Sequence, residues 1–174
     1  MQARIKKILK KTFRLFQYKI VSPVYIPLLQ GNLLQNKNIL ITGGSGGIGI
    51  AIAKCCLNNG ASICIAGRNH NKLESAKYKL MEYVSTDNQV ISTIVIDIKN
   101  ISTFDEVIIK ASKLFRNNCI DVLINCAGVG SGGEVGVTDE KQFDETLLTN
   151  LKGTYFMCQS YSNFLIKNKK RVIY

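Results

Sequence analysis

The sequence is poor in proline, with 2 in 174 residues, and it holds a single histidine. It also has no run of about 18 apolar residues, so no segment predicts a transmembrane helix. With 14 glycines and a hydrophobic fraction of 46%, the composition excludes collagen-like and low-complexity chains and argues against global disorder. The length suits one domain that is large enough to bury its own core.

Metal-ligand and disulfide patterns are missing as well. The six cysteines are Cys55, Cys56, Cys64, Cys119, Cys126 and Cys158. They form no CxxC pair, no histidine is clustered with them, and several lie in apolar runs, as small buried thiols do. We therefore predict a protein of the reducing cytoplasm without structural disulfides and without a metal site.

Acidic residues are absent from the first 19 positions, which hold seven of the 23 bases. Without this segment, the net charge of +11 falls to about +4 for the rest of the chain. The basic character therefore belongs to an N-terminal segment and not to the body of the protein. A nucleic-acid partner is not expected, because its site would place the bases along a groove of the domain itself.

The first twenty residues separate into two faces at the helical angle of 100° per residue. The apolar face holds Ile5, Ile8, Leu9, Phe13, Phe16 and Ile20, and the basic face holds Arg4, Lys6, Lys7, Lys10, Lys11 and Arg14. Such a helix can lie on an anionic membrane surface, which predicts peripheral contact at the inner face of the membrane through residues 1–20. The apolar face could equally pack on the same protein or on a second subunit. Pro23 and Pro27 predict an extended linker, so we divide the chain into residues 1–36 and a domain of residues 37–174.

The domain alternates short apolar runs with amphipathic stretches. The runs predict strands at 38–42, 62–66, 90–98 and 121–125, and a fifth strand that begins at 171–174. The stretches predict helices at 50–59, 72–83, 104–115 and 139–166, and Ser102, Thr103, Asp105 and Glu106 are typical of a helix cap. This order predicts an α/β fold, a Rossmann-type doubly wound parallel sheet with helices on both faces.

Residues 42–49 read TGGSGGIG and lie between a predicted strand and a predicted helix. Glycines at such a turn let the backbone approach a pyrophosphate, and the helix N-terminus offers free N–H groups. Loops often collect glycine, but this strand–turn–helix context predicts nucleotide binding. The candidate residues in the turn are Thr42, Gly43, Ser45, Gly47, Ile48 and Gly49.

The turn fits the TGxxxGxG pattern of the short-chain dehydrogenases/reductases, and the resemblance extends from about Lys37 to Tyr174. It implies hydride transfer between a nicotinamide dinucleotide and a carbonyl or alcohol carbon. In relatives that bind NAD, an acid just after the second strand holds the ribose 2′-hydroxyl. Here Gly67 stands in that place and Arg68 follows it. Since a guanidinium suits a phosphate, the resemblance implies NADP(H) in preference to NAD(H).

Two further motifs resemble those of the family. Asp97 and Ile98 correspond to its adenine-contacting position, and residues 125–128 (NCAG) resemble its NNAG motif, with Cys126 in place of the second asparagine. The resemblance therefore adds five candidate cofactor residues: Asp97, Ile98, Asn125, Ala127 and Gly128. Asn150 matches the helix asparagine of the family's catalytic tetrad, whose backbone carbonyl holds a water of the proton relay.

The family's remaining catalytic residues, a Ser and a YxxxK pair, have no match. None of the six tyrosines before Tyr174 is followed by lysine four positions later. We therefore expect the Ser, Tyr and Lys to lie beyond Tyr174 in a longer enzyme, the sheet to be truncated at its fifth strand, and this chain alone to be inactive. Two alternatives stay open, an inactive dinucleotide-binding protein and a membrane-surface interaction module.

The resemblance leaves the substrate open beyond a small carbonyl or alcohol compound. In the family, the substrate pocket is built largely by segments after the catalytic tyrosine. Relatives are commonly dimers or tetramers, so a homo-oligomer is one expected state of this protein.

Overall fold

A computed structural model describes residues 33–130 and 136–168, and in these ranges the chain forms four strands and five α-helices. The strands are β1 (Asn38–Thr42), β2 (Ser62–Gly67), β3 (Ile91–Val95) and β4 (Val122–Asn125). The helices are α1 (Gly47–Asn58), α2 (His70–Leu80), α3 (Phe104–Ser112), α4 (Glu140–Leu147) and α5 (Thr154–Lys167), and a π-helical turn (Leu148–Gly153) joins α4 to α5. The predicted helix of residues 1–20, most of the linker and the predicted strand at 171–174 lie outside the described residues. None of the helices in the described ranges is long and apolar enough to cross a membrane.

The four strands form one parallel sheet in the order β3-β2-β1-β4. β1 lies in the middle and pairs with both neighbours, for example Ile39 with Ile63 of β2 and with Val122 of β4. All five residues of β1 are buried. Such continuous burial is expected of a parallel strand when helices cover both faces of the sheet. The predicted doubly wound α/β fold is confirmed.

Successive side chains of β1 point to opposite faces of the sheet, and the core is therefore divided into two clusters, one on each face. Ile39 and Ile41 join a cluster with residues of α1 and α2, such as Leu57 and Leu73. Leu40, which points to the opposite face, joins a second cluster with residues of α3 and α5. The second cluster includes Phe104, Ile108, Ala111 and Met157. Both faces of the sheet are therefore covered, as the sequence predicts.

The strand order places a switch point beside β1. The chain passes from β1 through β2 to β3 at one edge, and then returns to the other side of β1 to form β4. The chain therefore lies on one side of β1 in β2 and β3 and on the other side of β1 in β4. In doubly wound sheets, the crevice that opens at this point is the usual ligand site.

Several predicted boundaries are wrong by a few residues, among them both ends of α2, which spans His70–Leu80 instead of 72–83. α1 begins at Gly47 instead of Ile50, since the Ile50 N–H already donates to the Gly46 carbonyl at 2.8 Å. β3 ends at Val95 instead of Ile98, because the chain turns at Asp97, whose side chain accepts from the Lys99 N–H at 3.0 Å. α3 ends at Ser112 instead of Phe115.

The predicted side-chain cap of α3 is wrong. Thr103 occupies the cap position, but its backbone has helical angles (φ −92°, ψ −9°) because residues 101–103 form a short 3₁₀ turn. A capping side chain needs an extended backbone to reach the first N–H groups of the helix. The Thr103 hydroxyl donates instead to the Asn100 carbonyl at 2.8 Å.

The predicted long helix at 139–166 is present but interrupted. Asp139 caps it by accepting from the Gln142 N–H at 2.7 Å, and the π-helical turn then separates α4 from α5. At the end of this turn, a Cβ added to Gly153 would lie 2.5 Å from the Ile98 carbonyl oxygen. Glycine therefore lets the helix pass directly over the chain that leaves β3.

Candidate functional site

A cleft of about 360 Å³ opens at the carboxyl ends of the strands, beside the switch point. Eight of the predicted site residues line it: Thr42, Gly43, Ser45, Arg68, Asp97, Ile98, Ala127 and Gly128. Five others are not part of its lining: Gly47, Ile48, Gly49, Asn125 and Asn150. The lining also includes Asn69, Lys72, Lys99, Val129 and Thr149, which the sequence analysis missed.

The glycine-rich turn forms the floor of this cleft by bringing strand ends together. Gly43 has a φ of +66°, and a Cβ on it would lie 2.6 Å from the Cys126 carbonyl oxygen. A Cβ on Gly49 would collide with the Gly43 carbonyl oxygen. Both positions therefore require glycine, because the turn approaches β4 and the first turn of α1 at the same time. By contrast, a Cβ on Gly47 would meet nothing within 4 Å.

Thr42 ties the turn to the segment that follows β4. Its side chain is buried, and its hydroxyl accepts a hydrogen bond from the Ala127 N–H at 3.3 Å. Its carbonyl accepts from the Cys126 N–H at 3.1 Å. The TG and NCAG motifs therefore form one structural unit, in which the end of β1 positions the loop beyond β4.

One end of the cleft, after β2, is cationic. Arg68 and Lys72 both line it, and in the described part of the chain neither side chain forms an ion pair. Between them, Asn69 caps α2 by accepting from the Lys72 N–H at 3.0 Å. The first turn of α2 contains no acidic residue, so the positive end of the helix dipole adds to the two charges.

Gly67 stands where a carboxylate would oppose this cationic end. A Cβ added to Gly67 would meet its nearest atoms, Leu73 Cδ2 and Ser45 Oγ, at 3.5 Å, which is an ordinary contact. No backbone strain or close approach therefore demands glycine there. The consequence of this glycine is the absence of a negative charge next to Arg68.

The third cation of the cleft, Lys99, is paired with a carboxylate, unlike Arg68 and Lys72 in the described part of the chain. Lys99 Nζ lies 3.2 Å from each carboxylate oxygen of Glu145 on α4. One carboxylate oxygen of Asp97 accepts from the Lys99 N–H, which leaves its other oxygen for a further donor. Cys126 also lines the cleft, and burial raises the pKa of its thiol, so it stays neutral. The net charge of the cleft is therefore positive, and it is concentrated at Arg68 and Lys72.

Asn150 does not line the cleft, but it holds a loop that does. Its side-chain oxygen accepts from the Val129 N–H at 2.8 Å, and its side-chain nitrogen donates to the Val129 carbonyl at 2.8 Å. Asn150 lies in the π-helical turn, a distortion of helices that is frequent at functional sites. The position of this asparagine is therefore defined by two bonds that also position Val129.

The side-chain amide of Asn125, at the end of β4, has a hydrogen-bond partner for its nitrogen but none for its oxygen among the described residues. Its side-chain nitrogen lies 3.3 Å from Cys158 Sγ and donates to it. Its side-chain oxygen is buried and has no hydrogen-bond partner within residues 33–130 and 136–168. Leaving such an acceptor unpaired costs about 1–3 kcal/mol, so this atom marks a place where a further donor would be stabilising.

Among the described residues, which include all six cysteines, there is no disulfide, and Cys56, Cys64 and Cys119 are buried. Desolvation raises the pKa of the Cys56 and Cys64 thiols to about 11. Among the described residues, no group of three or more His, Cys, Asp or Glu side chains is placed to hold a metal ion.

Comparison with known proteins gives matches over the described domain. Residues 37–173 match the model of the short chain dehydrogenase family. The chain is 30% identical over 138 residues to a 3-dehydrosphinganine reductase of Danio rerio, which covers 79% of this chain and 40% of that protein. It is 33% identical over 141 residues to a 3-oxoacyl-(acyl-carrier-protein) reductase of Chlamydia trachomatis, which covers 81% of this chain and 55% of that protein.

Solved structures agree with these matches. A short-chain type dehydrogenase/reductase from Mycobacterium ulcerans superposes with a TM-score of 0.68 and 26% identity, covering 78% of this chain and 48% of that chain. The chain thus spans about half the length of the relatives it matches. Since the family model covers most of the sequence, including both motifs of the cleft, the chain belongs to the short-chain dehydrogenase family of oxidoreductases.

Proposed function

We propose that this chain is the dinucleotide-binding part of an oxidoreductase and that it binds NADP(H) in preference to NAD(H). The observation that carries the proposal is the pair of cations beside Gly67 in the cleft, Arg68 and Lys72, which form no ion pair with any described residue. A carboxylate at position 67 would repel a 2′-phosphate and would accept from a ribose 2′-hydroxyl. Glycine there, next to a guanidinium, favours the phosphate.

The residues of the cleft and of the neighbouring start of α1 fit such a ligand along its length. The N–H groups at the start of α1, from Gly47 onward, would bind the pyrophosphate, because they have no acceptor within the helix. Arg68 would hold the 2′-phosphate, and the free oxygen of Asp97 would accept from the adenine amino group. Ile48, which is 76% exposed, would contact the dinucleotide with part of its apolar side chain. When bound, the nicotinamide supplies the hydride chemistry.

The proposed reaction is reduction of the carbonyl group of a small molecule, or the reverse oxidation of an alcohol. Two of the relatives are reductases by name, a 3-dehydrosphinganine reductase and a 3-oxoacyl-(acyl-carrier-protein) reductase, which favours the reductive direction. Within this chain, Asn150 and its Val129 contact would position the loop that borders the nicotinamide end of the cleft.

Ligand binding by the full chain tests the proposal. We expect isothermal titration calorimetry to give a lower Kd for NADPH than for NADH, and we expect Arg68→Ala to weaken NADPH binding by about tenfold or more while changing NADH binding less than twofold. Lys113→Ala is the control, since Lys113 carries the same charge, is exposed and does not line the cleft. Equal affinity for the two dinucleotides in the unmodified chain would contradict the proposed preference.

A further inference from the structure

We propose that Lys72 is a second specificity-determining residue, which binds the same 2′-phosphate as Arg68 from the opposite side of Asn69. This inference rests on the proposed NADP(H) site. It assigns a role to a residue outside the TGxxxGxG and NCAG motifs, on a helix whose sequence contains no glycine motif.

The position of Lys72 is fixed by local structure. Asn69 has an extended backbone (φ −108°, ψ 109°), and its side chain accepts from the Lys72 N–H at 3.0 Å. This cap places Lys72 in the first turn of α2, three residues after the cap, and gives its backbone N–H an acceptor. Lys72 and Arg68 therefore extend into one cleft from the two sides of the cap.

The charge of the ligand supports a second cation. A phosphate monoester carries about −1.5 to −2 charges at neutral pH, more than one guanidinium neutralises. Lys99, the other lysine of the cleft, is held by Glu145 at 3.2 Å and is not free to contribute. Lys72 has no such carboxylate partner among the described residues, so it is the second cation available.

A hydroxyl completes the set of donors at this end. Ser45 lies at the tip of the glycine-rich turn, and its oxygen would be 3.5 Å from a Cβ on Gly67. Its side chain makes no hydrogen bond within the described part of the chain, although it lines the cleft together with Arg68 and Lys72. A tetrahedral anion beside Gly67 would therefore meet one hydroxyl and two cations from three different segments.

The test compares Lys72→Ala, Lys72→Arg, Arg68→Ala and Lys113→Ala in the full chain, with NADPH, NADH and adenosine 2′,5′-bisphosphate as probes. We expect Lys72→Ala to weaken binding of NADPH and of the bisphosphate by about fivefold and to change NADH binding less than twofold. Lys72→Arg keeps the charge and should retain most of the affinity. Raising the salt concentration should shrink the effect of Lys72→Ala, because the cleft is open to solvent.

The outcomes separate this inference from the proposed function. If Arg68→Ala abolishes the preference for NADPH while Lys72→Ala behaves like Lys113→Ala, Lys72 has no role in specificity and the NADP(H) site stands. If Lys72→Ala weakens NADPH and NADH equally, the lysine acts on another part of the ligand and the inference is overturned. If the unmodified chain shows no preference for NADPH, both proposals fail together.

Discussion

Asn150 and Val129 are joined by two hydrogen bonds of 2.8 Å, although 21 residues separate them in the sequence. The amide side chain of Asn150 pairs with both backbone groups of Val129, as a neighbouring strand would. Because Val129 lines the cleft and Asn150 lies in the π-helical turn, the two bonds connect the wall of the site to the long helix.

Removal of this contact should weaken both folding and binding. For Asn150→Ala, which loses both bonds at a solvent-accessible position, we expect the free energy of unfolding to fall by about 1–2 kcal/mol. Dinucleotide binding should weaken as well, because the loop at Val129 loses its support. Urea denaturation and calorimetry measure the two effects. Asn163→Ala, at an exposed asparagine of α5, is the control, and equal results for the two variants would contradict this role.

A carboxylate at position 67 should change the preference for the dinucleotide. Since a Cβ at Gly67 meets only ordinary contacts, Gly67→Asp should fold, and its charge would repel a 2′-phosphate. We expect NADPH binding to weaken by about tenfold or more and NADH binding to be retained or improved. Gly67→Asn introduces a side chain of nearly the same shape as aspartate but without its charge, so it should weaken NADPH binding less. If both variants weaken NADPH equally, size and not charge governs this position.

Two glycines of the same turn should respond differently to alanine. Gly43→Ala places a Cβ 2.6 Å from the Cys126 carbonyl oxygen at a φ of +66°, so we expect the free energy of unfolding to fall by about 2–4 kcal/mol. Gly47→Ala places its Cβ in open space at the first residue of α1, where alanine favours the helix, so stability should be unchanged or rise. This comparison concerns stability alone, measured by chemical denaturation. Similar losses for both variants would show that the turn is not packed as described.

Alkaline pH should destabilise the fold through its buried thiols. Burial raises the pKa of Cys56 and Cys64 from 9.0 to about 11, so the folded state keeps these protons at pH values where the unfolded chain loses them. The contribution of these two protonated thiols to the free energy of unfolding is therefore fully present below pH 9 and is lost as the pH rises towards 11. Urea denaturation between pH 8 and about 11 should show this decline. Cys64→Ala should make the decline shallower, whereas Cys158→Ala, at an exposed cysteine, should not.

The sequence predicts best those parts of the structure in which the residue types themselves determine the backbone geometry. β1 has the predicted bounds, because its apolar residues are followed by Thr42 and then by Gly43, a glycine with positive φ. Eight candidate residues line one cleft, since the carboxyl ends of parallel strands meet at one edge of the sheet.

The missed features depend on tertiary contacts or on shifts in hydrogen bonding. A lysine on a helix face is usually solvated, so nothing in the sequence distinguishes Lys72 from Lys79. Only the fold shows that Lys72 lines the cleft. The π-helical turn changes the hydrogen-bond register inside a segment that the sequence predicts as one helix, so its position could not be predicted. The predicted cap at Thr103 failed because a 3₁₀ turn took up the residues before α3.

The most direct test of this account is the ratio of the Kd values for NADPH and NADH, measured by calorimetry on the unmodified full chain at low and at physiological salt. The account predicts tighter binding of NADPH by about tenfold or more at low salt, with a ratio that falls as salt screens Arg68 and Lys72. Equal Kd values, or a ratio that does not depend on salt, would contradict a site for the 2′-phosphate beside Gly67.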